Sequence, residues 1–189
     1  MKFTPTTIRD VVVIEPAVFG DDRGWFMESF NEAKFHKGLS DLGLPTPRAF
    51  VQDNHSCSKA GVLRGLHYQL PPHPQGKLVR VVKGAAFDVA VDIRRGSPTF
   101  GKWVGVELSA ANNRQLWIPE GFAHGFVALE DDTHFLYKTT DVYAKDCERS
   151  IRWDDAGIGI VWPGAVAQSL LAPKDAAAPL LKDAEVFGG

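Results

Sequence analysis

An all-β fold is predicted by three features of the chain. Apolar and polar residues alternate strictly through its middle, turn signals recur at short spacing between the alternating runs, and 18 glycines and 12 prolines are spread along the 189 residues. The alternation is clearest in "FDVAVDI", where Phe87, Val89, Val91 and Ile93 are in phase, and in "WVGVEL", where Val104, Val106 and Leu108 are in phase. A period of two sends successive side chains to opposite faces, so both runs predict half-buried strands.

The turns between them are "KGA", "RRGSPTFG", "SAANN" and "IPEGFAHG". Parallel strands would need crossovers of about a dozen residues, for which this stretch has no room, so an antiparallel sandwich or barrel is expected. One helix is predicted near the front, in "NEAKFHKGL", with Asn31 as its cap and Gly38 near its end. A second short helix is predicted within "DAAAPLLKDAEVF".

The length suits one domain over residues 1–189. A composition of 44% hydrophobic and 23% charged residues is that of an ordinary soluble protein, and no apolar run approaches the roughly 20 residues of a membrane helix. The opening "MKFTPTTIRDVVVIEP" lacks the apolar core and small-residue cleavage site of a secretory leader, so a cytoplasmic protein is expected. Cys57 and Cys147 are far apart and outside any CxxC pattern, which predicts reduced thiols. A net charge of −2 without a lysine or arginine run gives no footprint for nucleic acid, and any bound anion is expected to be small.

Chemistry concentrates in "VLRGLHYQLPPHPQGKLVRV", residues 62 to 81. Alternation would put Arg64 and His67 on opposite faces, so a bulge at Gly65 is needed if both serve one site. Lys77 is in phase with Val79 and Val81, which aims its ammonium inward; the competing reading is a strand-end lysine that snorkels to water. His124 stands between Phe122 and Phe126 on one face, and Tyr137 shares a face with Phe135. Taken singly, His67 reads as a hydrogen-bonded structural histidine and Tyr137 as core packing with its hydroxyl bonded. Asp88 and Asp92 lie opposite Phe87 and Val89, so one face of that strand is expected to be polar, either solvated or lining a cavity. Gln69 occupies the position where an HxH pair would have its second imidazole, and no metal site is expected.

Several long segments, "FVQDNHS", the stretch 62 to 81, "FDVAVDIRRGSPTFGKWVGVELSA", "QLWIPEGFAHGF", "FLYKTTDVYAKDCERSIRWDD" and "LAPKD", together resemble the dTDP-4-dehydrorhamnose 3,5-epimerase family in order over nearly the whole chain. The resemblance implies a cupin-like jelly roll, or double-stranded β-helix, with short peripheral helices. It further implies a homodimer, a dTDP-4-keto-6-deoxyhexose substrate from dTDP-L-rhamnose biosynthesis, and neither a metal nor an organic cofactor.

By the same resemblance His67 is the base that takes protons from carbon, Asp175 orients it, Tyr137 is the general acid and Lys77 stabilises the enolate oxygen. Arg23 and Arg64 match positions that bind the substrate, where a planar guanidinium suits a diphosphate. Glu28, Gln52, Asp53, Asn54, Glu148 and Lys174 match contacts to nucleotide or sugar, and Tyr143 matches a stack on the thymine ring. His124 and Asp88 are expected to shape the pocket, and some N-terminal contacts to come from the partner subunit. The alternatives are an epimerase acting at C3 or C5 only, a jelly roll that binds without turnover, and a metal-dependent cupin.

Overall fold

Two antiparallel sheets packed face to face account for the alternation. The computed structural model describes residues 1–164, 166, 167 and 170–188. In chain order the elements are β1 (Lys2–Pro5), β2 (Val12–Glu15), β3 (Val18–Asp21), β4 (Gly24–Met27), α1 (Glu32–Asp41), β5 (Gln52–Ser58), β6 (Leu63–Gln69) and β7 (Lys77–Lys83). There follow β8 (Ala85–Asp92), β9 (Trp103–Ser109), β10 (Gln115–Ile118), β11 (Phe122–Ala128), β12 (Thr133–Thr139), β13 (Glu148–Ser150) and α2 (Pro173–Ala176). One sheet has the order β1-β2-β10-β7-β12-β5 and the other β13-β6-β11-β8-β9, while β3 and β4 form a separate hairpin. From β5 to β8 each strand enters the sheet opposite its predecessor, and the result is a cupin-like jelly roll.

The space between the sheets is filled by Val79, Val81 and Phe135 from one side and Ala86, Ala90, Phe122 and Phe126 from the other. Phe126 and Phe135 stack across the gap with ring centroids 3.9 Å apart. The outer face of the second sheet is also apolar: Leu66, Val89, Val91 and Ala123 lie under Ile151, Ile158, Ala184 and Val186 from the C-terminal part of the chain. That layer corrects the expectation for β8, which is buried on both faces rather than on one. Asp88 therefore points into the space between the sheets. Asp92, at the strand end, anchors the following turn by accepting bonds from Arg94, Ser97 and Thr99. Burial alone would raise its pKa, but these donors prevail and hold it at about 2.

The first sheet carries α1 on its outer face, with Phe35 and Leu39 packed on Val12, Ile14, Leu78 and Trp117. Burying each of those two side chains is worth about 1.5–3 kcal/mol. Asn31 caps α1 as predicted, its side chain accepting from the Lys34 N–H at 3.1 Å. Gly38 does not end the helix. It lies inside it because a Cβ there would sit 2.4 Å from the Phe3 ring, and the turn that ends α1 uses Gly43 at φ +71°. The second predicted helix is reduced to α2, which begins two residues before the expected segment, and a single 3-10 turn at Leu181–Asp183.

The bulge expected at Gly65 is present. His67 pairs with His124 and Arg64 with Phe126, so three steps along β6 match two along β11. Gly65 has φ +135°, and a Cβ there would lie 2.5 Å from the Gly125 Cα. Both the dihedral and the approach require glycine. Replacing Gly65 by alanine is expected to cost at least about 3 kcal/mol, from backbone strain plus a clash with backbone that cannot move aside. Urea unfolding of Gly65→Ala beside Gly43→Ala separates the contributions, because Gly43 is also at positive φ but has only an arginine side-chain tip nearby at 3.7 Å.

Candidate functional site

The space between the sheets is open at one end, as a cavity of about 600 Å³ whose walls include Arg64, His67, Lys77, His124, Phe126 and Tyr137. His67 arrives from β6, aimed by the bulge that puts it out of phase with Arg64. Its Nε2 is 2.6 Å from Asp175 Oδ1, and the other Asp175 oxygen accepts from the Gly65 N–H at 3.3 Å. Asp175 is only 2% exposed, held there by the short helix α2. One carboxylate thus grips both the imidazole and the bulge that presents it. Because an ionised carboxylate only accepts, the bond fixes the proton on Nε2 and leaves Nδ1 basic. No group among the described residues hydrogen-bonds Nδ1.

Lys77 enters from β7 on the face of Val79 and Val81, as its phase predicted. Its Nζ donates to the His67 carbonyl at 3.3 Å, and among the described residues no carboxylate forms an ion pair with it. Burial pulls its pKa down to about 8, against the opposing pull of the Asp88 and Glu148 carboxylates. Tyr137 lies on β12 next to Phe135, and burial raises its phenol pKa, so the hydroxyl keeps its proton at neutral pH. His124 on β11 directs Nε2 to Asp88 Oδ1 at 2.7 Å, with Asp88 wholly buried.

At the mouth, Glu148 accepts from Lys174 Nζ at 2.8 Å and from the Tyr143 hydroxyl at 3.1 Å, leaving half of the Tyr143 surface open. That hydroxyl bond is the main reason the Tyr143 phenol pKa is raised. For Lys174 burial works the other way, but the ion pair with Glu148 prevails and raises its pKa. Gln52 holds the same loop by accepting from the Tyr143 N–H at 3.0 Å while donating to Asn54. Arg64, an exposed residue, donates to the Ser58 hydroxyl at 3.1 Å and to the Cys57 carbonyl at 3.4 Å. A base, a buried ammonium and a protonated phenol in one cavity suit removal and return of a proton at a carbon acid, with cations at the rim for an anionic group.

Three of the expected contacts lie elsewhere within this one chain. Asp53 alternates with Gln52 and Asn54 on β5, so it faces outward and pairs with Lys138 at 2.9 Å. Arg23 caps the exposed β3–β4 hairpin and is paired with Asp21. Glu28 is bound to Lys34 at 2.8 Å. None of the three borders the cavity, whereas His55, Lys59 and Gln75 do. Gln75 is recognisable only after folding, when it ties its loop to the Asp141 carbonyl at 2.9 Å. Gln69 has a comparable task, donating to the His73 and Val142 carbonyls and accepting from the Ala144 N–H.

Residues 5–183 match the family model described as dTDP-4-dehydrorhamnose 3,5-epimerase. Among curated proteins, the Shigella flexneri dTDP-4-dehydrorhamnose 3,5-epimerase is 57% identical over 99% of each chain, and the Pseudomonas aeruginosa one is 55% identical over 99% of each. A Legionella pneumophila 3,5-epimerase solved with dTDP-4-keto-L-rhamnose is 52% identical, with a TM-score of 0.87 over 96% of this chain and 93% of that one. A 3'-monoepimerase of Streptomyces bikiniensis, solved with dTDP-quinovose, is 36% identical, with a TM-score of 0.84 over 96% of this chain and 88% of that one.

The lysine in the wall can be observed directly. In protein carrying ¹³Cε-lysine, one resonance is expected to titrate early, near pH 8, and Lys77→Met removes that early signal. An early signal that survives in the variant would assign the perturbed amine to another lysine.

Proposed function

Since the chain belongs to the dTDP-4-dehydrorhamnose 3,5-epimerase family, we propose that it converts dTDP-4-dehydro-6-deoxy-D-glucose to dTDP-4-dehydro-L-rhamnose, within dTDP-L-rhamnose biosynthesis. The observation that carries this reading is the His67–Asp175 pair beside a buried Lys77 and a protonated Tyr137 in one cavity. C3 and C5 of the sugar both flank the C4 ketone. Loss of a proton from either places the electron pair on the same oxygen, so one cation serves two inversions.

In this reading His67 Nδ1 takes the C–H proton, and the imidazolium formed is stabilised by Asp175. The C–H electrons become the enolate, whose oxygen meets the Lys77 ammonium; one such donor is worth about 3 kcal/mol in a dry site. Tyr137 then gives its proton to the carbon from the opposite face; solvent restores the phenol, and the His67 imidazolium returns its proton to solvent before it acts at the second carbon. The ketone itself is the electron sink, so the steps balance without a cofactor. Arg64, Lys174 and the open face of Tyr143 lie at the mouth, where diphosphate and base would be held.

The same proposal extends to a homodimer. Phe19, Trp25 and Phe26 on the β3–β4 hairpin are 64%, 63% and 69% exposed, a costly arrangement for a lone chain. Arg23 and Glu28 flank these aromatics, away from their own cavity. A second copy that received the hairpin would bury the aromatics and bring both charged residues to the partner's site. Residues 1–189 are taken as one domain, acting in the cytoplasm; the family match over residues 5–183 and the free thiols of Cys57 and Cys147 support those two readings. No helix among the described residues is long and apolar enough to cross a membrane.

Proton NMR of dTDP-4-keto-6-deoxyglucose with the protein in D₂O tests the chemistry. Deuterium is expected at both C3 and C5, with His67→Ala slowing both exchanges by about 10²–10⁴-fold. Tyr137→Phe is expected to retain exchange while losing inversion. Exchange at one carbon alone would make this a single-site epimerase. For the assembly, sedimentation is expected to give a dimer, and Phe26→Asp a monomer with raised KM; a wild-type monomer of full activity would refute the shared site.

A further inference from the structure

The mechanism above leaves one buried charge without a task. Asp88 is wholly buried on β8 between Ala86 and Ala90, whose small side chains leave room for its neighbours between the sheets. One of its oxygens holds His124 Nε2 at 2.7 Å, and the other is buried with no partner. Leaving a buried acceptor unmatched costs about 1–3 kcal/mol, more for a charged one, so the carboxylate is not there for stability alone. His124 borders the cavity while its Nε2 is committed to Asp88, so Nδ1 is the ring atom left to meet a ligand.

We propose that Asp88 is a positioning residue for the reaction: it fixes His124 as the neutral tautomer with the proton on Nε2, and keeps the bare Nδ1 facing the cavity as an acceptor for a sugar hydroxyl. A neutral ring is what the surroundings favour. Burial lowers the His124 pKa and, with Lys77 and His67 nearby, outweighs the opposing pull of the Asp88 carboxylate. Burial raises the Asp88 pKa, opposed by His124 and Lys77. With Lys77 as ammonium and Asp88 as carboxylate the interior charges balance, whereas a proton on His124 would add an uncompensated cation. An acceptor at this place engages a substrate hydroxyl and repels the enolate oxygen, steering the latter towards Lys77.

This role rests on the epimerase reading for its kinetics but not for its spectroscopy. Two-bond ¹H–¹⁵N correlation of the histidine rings reports the tautomer in the free protein. The wild type is expected to show His124 protonated on Nε2, and Asp88→Asn, whose amide can donate as well as accept, to shift population to the Nδ1–H form. The same variant is expected to lose about 10–100-fold in kcat for exchange at C3 and C5 while its melting temperature is retained. In a His124→Gln background Asp88→Asn should then change the rate less than twofold, because both changes act through one ring. A wild-type ring protonated on Nδ1, or losses that multiply in the double variant, would overturn the assignment. Wild-type protein that exchanges neither proton would defeat the epimerase reading and leave the tautomer measurement to decide the role of Asp88.

Discussion

Everything in the cavity depends on the contact between two glycines. Gly65 and Gly125 bring β6 and β11 so close that neither strand tolerates a Cβ at the crossing, and the extra residue in β6 forms there. Without it, period two would turn His67 to the other face of the sheet, into the layer covered by the C-terminal chain. The bulge also frees the Gly65 N–H from the ladder. That donor is taken by Asp175, which reaches His67 with its other oxygen. A backbone irregularity and a side chain 110 residues away are therefore satisfied by one group. The pairing explains how a four-residue helix near the end of the chain is held against the sheet.

The polar interior is costly, and its layout limits the cost. Lys77, Asp88 and His124 come from three strands of two facing sheets, and the stacked Phe126 and Phe135 rings lie alongside them. Taking a charge out of water is costly in so dry a space, which is why the Lys77 amine falls to about 8 and the Asp88 carboxyl is pushed up, each against the attraction of the other. A lysine with its proton poised near neutrality is a stronger partner for a developing enolate than one fully hydrated at the surface. Stability given up by burying these groups reappears as preorganisation of the site.

The alternating strands, the cap at Asn31 and the inward aim of Lys77 were legible because each depends on a local period or a local bond. The same reasoning applied to "QDN" separates Asp53 from Gln52 and Asn54, since three consecutive strand residues cannot share a face. Gly38 misled for the opposite reason: its role is set by the Phe3 ring, remote in sequence, rather than by helix termination. Asp175 carries no local signal of burial, and only the resemblance to a family pointed to it. The double burial of β8 likewise depends on a covering layer that includes Ile151, Ile158, Ala184 and Val186, which no window on the strand contains.

The division between interior and rim then follows from what each must recognise. Atoms that move protons need fixed positions to a fraction of an ångström, and here they sit on strands of opposed sheets or are gripped by a buried carboxylate. Groups at the mouth, Tyr143, Glu148 and Lys174, belong instead to the chain beyond β12: Gln52 and Gln69 accept from the backbone N–H groups of Tyr143 and Ala144, and Glu148 holds Lys174. A nucleotide handle remote from the reacting carbons can be bound by such a rim, because its binding energy is needed to place the sugar rather than to stabilise the enolate. In the proposed reaction the sugar carbons would meet a wall in which proton positions are set by Asp175 on one side and Asp88 on the other. Two histidines with the same bond at Nε2 thus take different parts in the proposed reaction because of their neighbours: His67 as the proposed base at carbon, and His124 as the proposed acceptor that determines which oxygen faces Lys77.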